Sequence, residues 1–193
     1  MQYSRIHNEI LPSEFTLTRM LEPEAREVAA WQYAGEYAVY NGDAAFYDKT
    51  VRSFLNPEFA YHGVWHDELG LTGFCCYGAD AQVPGGDYSE DAVDIGLGLR
   101  PDLVGRGIGP PFLLAVMCHA TYSAGAGAKE DELVFRATIA DFNGRSLRLF
   151  DRAGFVPEQK FVISWQAKAD EQHGFVVVVR RPVGVRGQLS GSA

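Results

Sequence analysis

The chain has 193 residues, 47% of them hydrophobic and 12% aromatic, which is enough to bury one sizeable core and short for two. Its 25 acidic residues outnumber 17 basic ones, and the net charge of -8 opposes binding to a nucleic-acid backbone. The three cysteines, Cys75, Cys76 and Cys118, form no C-x-x-C pair and no even set, so neither a disulfide framework nor a zinc knuckle is predicted.

No part of the sequence predicts export or a membrane span. The longest near-apolar run, Phe112 to Cys118, is far shorter than the roughly 20 residues that a spanning helix needs, and no positively charged start precedes an apolar stretch. We therefore expect a cytoplasmic protein, with one domain over residues 1–183 and a flexible tail over residues 184–193.

The first part of the chain predicts three strands and two helices. A short strand over Phe15 to Arg19 precedes a helix over Glu22 to Trp31, which opens with acidic residues and a proline. A second helix over Asp43 to Leu55 has apolar residues at helical spacing and stops before a proline. Phe59 to His66 and Leu71 to Tyr77 flank a four-residue connection that is typical of an antiparallel hairpin.

The second part alternates strands and helices. The predicted elements are a strand over Val93 to Leu99, a helix over Gly107 to Ser123, a strand over Glu132 to Ile139, a helix over Gly144 to Ala153, and strands over Phe155 to Trp165 and Gly174 to Arg180. This order predicts an α/β fold with a mixed sheet and helices on both faces.

The strand Val93 to Leu99 has one face with almost no side chains. Asp94, Gly96 and Gly98 share that face, because side chains alternate along a strand. Glycines inside a strand indicate that something else occupies the space, either a ligand or a closely packed helix.

A glycine-rich turn follows this strand and opens the next helix. Three glycines between Pro101 and Gly109 allow a tight turn with inward amides, and a helix N-terminus adds partial positive charge, so the turn can hold a pyrophosphate. Pro110 and Pro111 fit the first helical turn but remove two amide donors. A plain strand-to-helix bend stays an alternative. A nicotinamide dinucleotide site does not fit the glycine spacing.

Two segments together resemble the GNAT N-acetyltransferase family. Residues 93–109, with the turn Gly105-Arg106-Gly107-Ile108-Gly109, resemble its acetyl-CoA-binding motif, and Ile139 to Phe155 resembles its strand, Asn-led helix and closing Gly-Phe. The resemblance implies the GNAT fold, with a mixed, mostly antiparallel sheet. It also implies acetyl-CoA as co-substrate and direct transfer of an acetyl group to a primary amine of a small molecule or peptide.

The resemblance also assigns residues to the cofactor. The expected contacts are the backbone of Leu99, the amides of Val104, Gly105, Arg106, Gly107, Ile108 and Gly109, and the residues Asn143 and Ser146. Asn143 has a second interpretation as a helix N-cap. Val104 stands where the family usually has Gln or Arg, although its backbone amide can serve unchanged.

Two catalytic roles are less well defined. An amine must lose its proton before it attacks. Asp94 is the candidate general base, because the resemblance implies an acidic residue on the glycine face of this strand; a structural or solvated aspartate is the alternative. Phe150 stands where many members have a Tyr that reprotonates the departing thiolate, and a phenyl ring cannot donate a proton. Tyr122 and Cys118 are other donors to consider, and coenzyme A can also leave as the thiolate.

The acceptor and the partners are the least defined. Trp31, Glu36, Tyr37 and Tyr40 are weak candidates for the substrate pocket, with core or lid packing as the alternative, and the segment Gly78 to Glu90 is a second variable loop. No metal site is predicted, and His62 and His66 are expected at the surface or in the hairpin, with His119 packed in a helix. A homodimer through the last strands stays open. So do a catalytically silent acyl-CoA-binding regulatory module and a different nucleotide-binding enzyme.

Overall fold

A seven-stranded sheet runs through the computed structural model, which describes residues 11–123, 132–164 and 172–182. The strands are β1 (Phe15–Arg19), β2 (His62–His66), β3 (Gly70–Tyr77), β4 (Val93–Leu99), β5 (Phe135–Ala140), β6 (Val156–Ser164) and β7 (Gln172–Arg180), in the spatial order β1-β2-β3-β4-β5-β7-β6. All neighbours are antiparallel except β4 and β5. The predicted mixed, mostly antiparallel sheet is confirmed.

Within the described ranges, four α-helices lie on the two faces of this sheet. They are α1 (Glu22–Ala29), α2 (Tyr47–Phe54), α3 (Gly109–Ser123) and α4 (Gly144–Arg152). One apolar cluster joins α3 and α4 to the sheet around Phe112, Val116 and Phe150, which are at most 2% exposed. A second, smaller cluster joins α1 and α2 to Leu71 and Phe74 of β3. Each helix pair buries its own apolar stripe against one side of the sheet.

The centre of the sheet is interrupted. β4 and β5 pair in parallel only at Val93 with Phe135 and at Asp94 with Arg136, whereas β4 pairs with β3 as far as Leu99 and β5 pairs with β7 as far as Ala140. Beyond their first two residues the two central strands therefore part, and a cleft opens between them toward their C-terminal ends. The N-terminus of α4 follows shortly after the end of β5, and that of α3 follows β4 after the glycine-rich turn.

Most predicted elements are found, with shifted ends. β1 and β4 have the predicted bounds. β2 begins three residues late because Pro57–Phe59 forms a 3-10 turn and Ala60 has a left-handed φ of 47°. α3 begins at Gly109 rather than Gly107, whose φ of +81° is not helical. Trp165 and the predicted tail lie outside the described residues. No helix that the structure describes is long and apolar enough to cross a membrane.

Candidate functional site

The closed end of the cleft is fastened by a buried ion pair. Arg136 on β5 donates from Nε to Oδ1 of Asp94 (2.6 Å) and from Nη2 to Oδ2 (2.8 Å), and both side chains are 4% exposed. The hydrogen bonds that Arg136 donates to this carboxylate raise the pKa of the guanidinium. The two residues are direct partners in the β4–β5 ladder, so the pair sits at the point where the strands begin to part.

The segment between β3 and β4 covers this pair. Gln82 donates to Oδ2 of Asp94 (2.7 Å), the Arg136 guanidinium lies 5.0 Å from the centre of the Tyr88 ring, and it also donates to the Glu90 carbonyl (3.1 Å). Tyr88 is itself held by the Val83 backbone. The part of Gly78 to Glu90 that carries these contacts therefore acts as a cover over the ion pair, and its role in the acceptor pocket stays a prediction.

This environment bears on the base assigned to Asp94. Both of its oxygens accept from a guanidinium, and one accepts from an amide as well. A proton on Asp94 would have to displace those donors, which favours the structural alternative for this residue. General-base catalysis by Asp94 stays a prediction that the geometry does not support.

The glycine face of β4 is filled by protein. An added Cβ at Gly98 would meet the ring of Phe74, and one at Gly96 would meet the Cys76 sulfur and Ala81. The packed-helix alternative holds at Gly96, where Ala81 of the short 3-10 helix Gly78–Ala81 lies, whereas the Phe74 side chain of β3 fills the space at Gly98. A ligand on this face is therefore not supported. The opening beside β4 lies along its edge toward β5, where the two strands part.

The edge of β4 that faces the cleft carries backbone groups that have no β5 partner in the described sheet. The Arg100 amide bonds the Thr72 carbonyl (2.8 Å) and the Val93 amide bonds the Val134 carbonyl (2.8 Å), so odd-numbered β4 residues direct their amides and carbonyls away from β3, toward β5. Leu97 and Leu99 lie beyond the last β4–β5 pair. The Leu97 backbone groups and the Leu99 amide can therefore bind an extended chain laid in the cleft, whereas the Leu99 carbonyl accepts a hydrogen bond from the Tyr33 hydroxyl.

The glycine-rich turn lies between the end of β4 and the start of α3. Gly105 and Gly107 have φ of +80° and +81°, and an added Cβ at either would meet no atom within 4 Å. These glycines are needed for their backbone conformation and leave open space on the outer side. Ile108, 3% exposed, anchors the turn in the core.

Some amides of this turn are already engaged. The Val104 amide donates to the Pro101 carbonyl and the Arg106 amide to the Leu103 carbonyl, both at 3.3 Å. Within the described residues, the Gly105, Gly107 and Ile108 amides donate to no backbone carbonyl outside regular elements. The amides of Gly105, Gly107 and Ile108 are therefore the better candidates for binding a phosphate. The Val104 and Arg106 amides could bind one only if their hydrogen bonds to Pro101 and Leu103 opened.

The N-terminus of α4 forms the opposite wall of the cleft mouth. Asn143 caps the helix, with Oδ1 accepting from the Ser146 amide (3.0 Å), and its Nδ2 donates to the Tyr40 hydroxyl (3.2 Å). The N-cap interpretation is confirmed. Exposed Arg145 and Arg148 follow in the same turn, so cations border the cleft although the chain is acidic overall.

One segment bridges the two walls of the cleft. We call residues 33–41 the strap. Tyr33 at its start donates its hydroxyl to the Leu99 carbonyl at the end of β4 (2.9 Å), and Tyr40 near its end accepts from Asn143. Asn41 bonds both the Tyr33 amide and carbonyl (2.6 and 3.1 Å), which holds the strap in a closed loop.

The four predicted substrate residues differ in position. Tyr40 lies in the cleft mouth, and Tyr37 packs against Phe142 (ring centres 6.3 Å apart) beneath the Arg145 guanidinium. Glu36 is exposed on the strap. Trp31 packs on Phe74 in the smaller apolar cluster, as the packing alternative predicts. Tyr33 was not among the predicted site residues, because its partner Leu99 is 66 positions away.

The other reactive groups lie outside the cleft mouth. Phe150 is 2% exposed and packs edge-on against Phe155. Tyr122, 88% exposed, is near the far end of α3, about 20 Å along the axis from its start. Burial raises the pKa of both Cys75 and Cys76 to about 12, so neither is a nucleophile at neutral pH.

A histidine cluster lies between β2 and α3. The ring centres of His62 and His119 are 4.7 Å apart, and burial lowers the pKa of each. Tyr77 donates to the Val116 carbonyl (2.9 Å), so His119 Nδ1 is the donor to Tyr77. His119 is packed as predicted. His66 lies in the β2–β3 hairpin, as one of the two predicted alternatives has it, but its side chain is 5% exposed and is not at the surface. No group of three metal-ligating side chains occurs among the described residues.

Known structures share this architecture. A GNAT-family acetyltransferase from Bacillus anthracis aligns with a TM-score of 0.63 at 13% identity, over 87% of this chain and 95% of its own. A Salmonella typhimurium protein, assigned as an acetyltransferase and solved with acetyl-CoA, aligns at 0.58 and 15%, over 90% and 97%. A Vibrio cholerae spermidine N-acetyltransferase chimera aligns at 0.60 and 13%, over 86% and 94%.

These similarities show that the chain has the fold of the GNAT acetyltransferases, which confirms the fold expected from the resemblance. No protein-family model matches the sequence, and no curated protein matches it. At such low identity the similarity establishes the fold, and the chemistry has to be argued from the residues of the cleft.

Proposed function

We propose that the protein is an acetyl-CoA-dependent N-acetyltransferase that acts on a primary amine. The observation that carries the proposal is the parting of β4 and β5 beside a glycine turn with open amides. A cleft with backbone donors along one edge suits an extended amide-containing arm, and the turn suits the pyrophosphate at the end of that arm. The acetyl-CoA bound by the Salmonella typhimurium neighbour supports the same assignment.

The residues of the cleft fit such a co-substrate. The amides of Gly105, Gly107 and Ile108 would hold the pyrophosphate, and the edge of β4 at Leu97 and Leu99 would hold the arm. Both polar atoms of the Asn143 side chain are engaged, Oδ1 in the α4 cap and Nδ2 with Tyr40, so Asn143 would bind the arm only by releasing Tyr40. Ser146 gives its amide to the cap, which leaves its hydroxyl as the group for the role assigned to it.

The chain's own groups support direct transfer. An amide at the cleft edge, such as that of Leu99, can stabilise the negative charge that develops on the thioester oxygen under attack by the amine. Cys75 and Cys76 stay protonated because of burial, which disfavours an acyl-cysteine step. With Asp94 bound to Arg136, we infer that water at the cleft mouth accepts the amine proton.

The acceptor is proposed only as a class. Neighbours of the same fold are described as acting on spermidine and on phosphinothricin, and both names denote compounds that are acetylated on nitrogen. The net charge of -8 favours approach of a cationic amine. Arg145 and Arg148 at the mouth also allow an amine that carries a carboxylate or phosphoryl group.

The first experiment is a calorimetric titration with acetyl-CoA, with NAD as the control ligand. We expect saturable binding of acetyl-CoA alone. Gly107→Val should weaken it at least about tenfold, since a β-branched residue cannot hold a φ of +81° and the turn would lose a charge-assisted hydrogen bond. Gly78→Val is the matched control: its φ is +76° and its added Cβ would also meet nothing, but it lies in the other loop.

The outcomes separate the alternatives. Binding that survives Gly107→Val, or that is lost equally with Gly78→Val, would contradict the phosphate role of the turn. Acetyl-CoA binding without acetyl transfer to a panel of polyamines, amino acids and peptide N-termini would favour the silent binding module. Binding of NAD in preference to acetyl-CoA would favour a different nucleotide-dependent enzyme.

A further inference from the structure

The cleft contains a tyrosine hydroxyl whose proton is uncommitted. Asn143 Oδ1 accepts from the Ser146 amide, so the other end of the side chain, Nδ2, is the one that faces Tyr40. Nδ2 can only donate. The Tyr40 oxygen is therefore an acceptor in this bond, and among the described residues no acceptor for its own hydrogen lies within bonding distance.

The neighbouring tyrosines do not share this arrangement. The Tyr33 hydrogen is committed to the Leu99 carbonyl, which the cleft edge presents next to the proposed thioester position. Tyr37 has its ring held between Phe142 and Arg145, but no hydrogen bond positions its hydroxyl among the described residues. Of these three tyrosines, Tyr40 alone has a hydroxyl oxygen held by a hydrogen bond and a hydroxyl hydrogen that is not donated to any described residue.

Acetyl transfer from a thioester creates a need for that proton. A thiol has a pKa of about 8.5, so a departing thiolate is largely reprotonated at neutral pH, and a positioned donor makes departure easier. Phe150 lies in the core and has no proton to give. Partial burial raises the pKa of Tyr40, so its phenol stays protonated throughout the neutral range.

We propose that Tyr40, reached from the strap, protonates the sulfur of the departing coenzyme A; this rests on the proposed acetyl transfer. Tyr40 gives its phenolic proton to sulfur as the carbon–sulfur bond breaks and sulfur takes the bonding electron pair. The amine nitrogen loses one proton to water as the carbon–nitrogen bond forms, and Tyr40 recovers a proton from water. The products are the amide and the free thiol, and Tyr40 is unchanged.

The test uses coenzyme A bound to the full chain without any acceptor. A hydroxyl donor beside sulfur stabilises the thiolate and lowers its pKa, which the ultraviolet absorbance of the thiolate reports during a pH titration. We expect Tyr40→Phe to raise the pKa of the bound thiol by about one unit. The same variant should lower kcat for transfer about 10- to 100-fold and leave KM for acetyl-CoA within about twofold.

Two further variants complete the experiment. Tyr122→Phe removes a hydroxyl from an exposed position far along α3 and should change neither the thiol pKa nor kcat. An unchanged thiol pKa in Tyr40→Phe overturns the inference while coenzyme A binding stands. If the pKa of the bound thiol rose in Tyr37→Phe and not in Tyr40→Phe, the proton donor would be Tyr37, which also overturns the inference. Failure of the unaltered protein to bind coenzyme A would overturn the proposed function itself.

Discussion

Replacing Asp94 by Asn should destabilise the protein severely. The change removes one charge of a pair whose side chains are both 4% exposed and share two short hydrogen bonds. Arg136 would then be a buried cation without a counter-charge, left with the neutral amide oxygen of the substituted side chain, the Glu90 carbonyl and the Tyr88 ring. Loss of one partner from a buried pair costs about 3–5 kcal/mol. For a chain of this size that is a fall in Tm of roughly 6–20 °C.

Urea unfolding followed by fluorescence of the three tryptophans measures this loss directly. Glu158→Gln is the matched control: it breaks an ion pair with Arg181 that is partly exposed, and Arg181 keeps Glu90. The control should cost less than about 1 kcal/mol. Removing both buried charges in Asp94→Asn/Arg136→Gln should recover part of the stability, because no unpaired charge remains buried.

The result also separates the two roles of Asp94. If the free energy of unfolding of Asp94→Asn were at most about 1 kcal/mol lower than that of the unaltered protein, the ion-pair reasoning would be refuted. If such a variant also lost acetyl transfer most strongly at low pH, with coenzyme A affinity unchanged, the general-base role would be restored. An unchanged rate in the folded variant would remove Asp94 as the base.

Two further predictions concern groups away from the cleft. A thiol reagent should modify Cys118 quickly in the native protein and Cys75 and Cys76 only on unfolding. The reason is that burial shields the latter two thiols and raises the pKa of each to about 12. Fast modification of all three thiols would contradict this prediction. Burial lowers the pKa of His62 and His119, so near pH 6 the unfolded chain binds more protons and the free energy of unfolding should rise with pH through about 6.5. Denaturation across pH 5–8 tests this, and a slope unchanged by His119→Gln would contradict it.

The sequence was informative where the signal is local. The alternation of Val93 to Leu99, the glycines that follow and the Asn that begins α4 all act within a few residues, and the structure places each in the predicted element. The sequence predicts that the glycine face of β4 is occupied, but it cannot identify every occupant, because the cause is not local. Phe74 of the neighbouring strand β3 fills the space at Gly98, and nothing within the β4 sequence predicts this contact.

The chemistry of the cleft depends on distant pairs. Tyr40 and Asn143 are 103 positions apart, and Asp94 and Arg136 are 42 apart, so only the packed sheet brings them together. One signal could have been used. Arg145 stands in the first turn of α4, where the helix dipole disfavours a cation, and a basic residue in such a place points to a role at the cleft mouth.

The parted strands also give the sheet two edges in its interior. An exposed strand edge normally invites pairing with another chain and so promotes aggregation. Here β4 and β5 keep their unpaired edges inside a narrowing gap, fastened at one end by the buried ion pair and bridged near the other by the strap. These edges can therefore offer backbone hydrogen bonds to an extended ligand from within the sheet instead of from its outer rim.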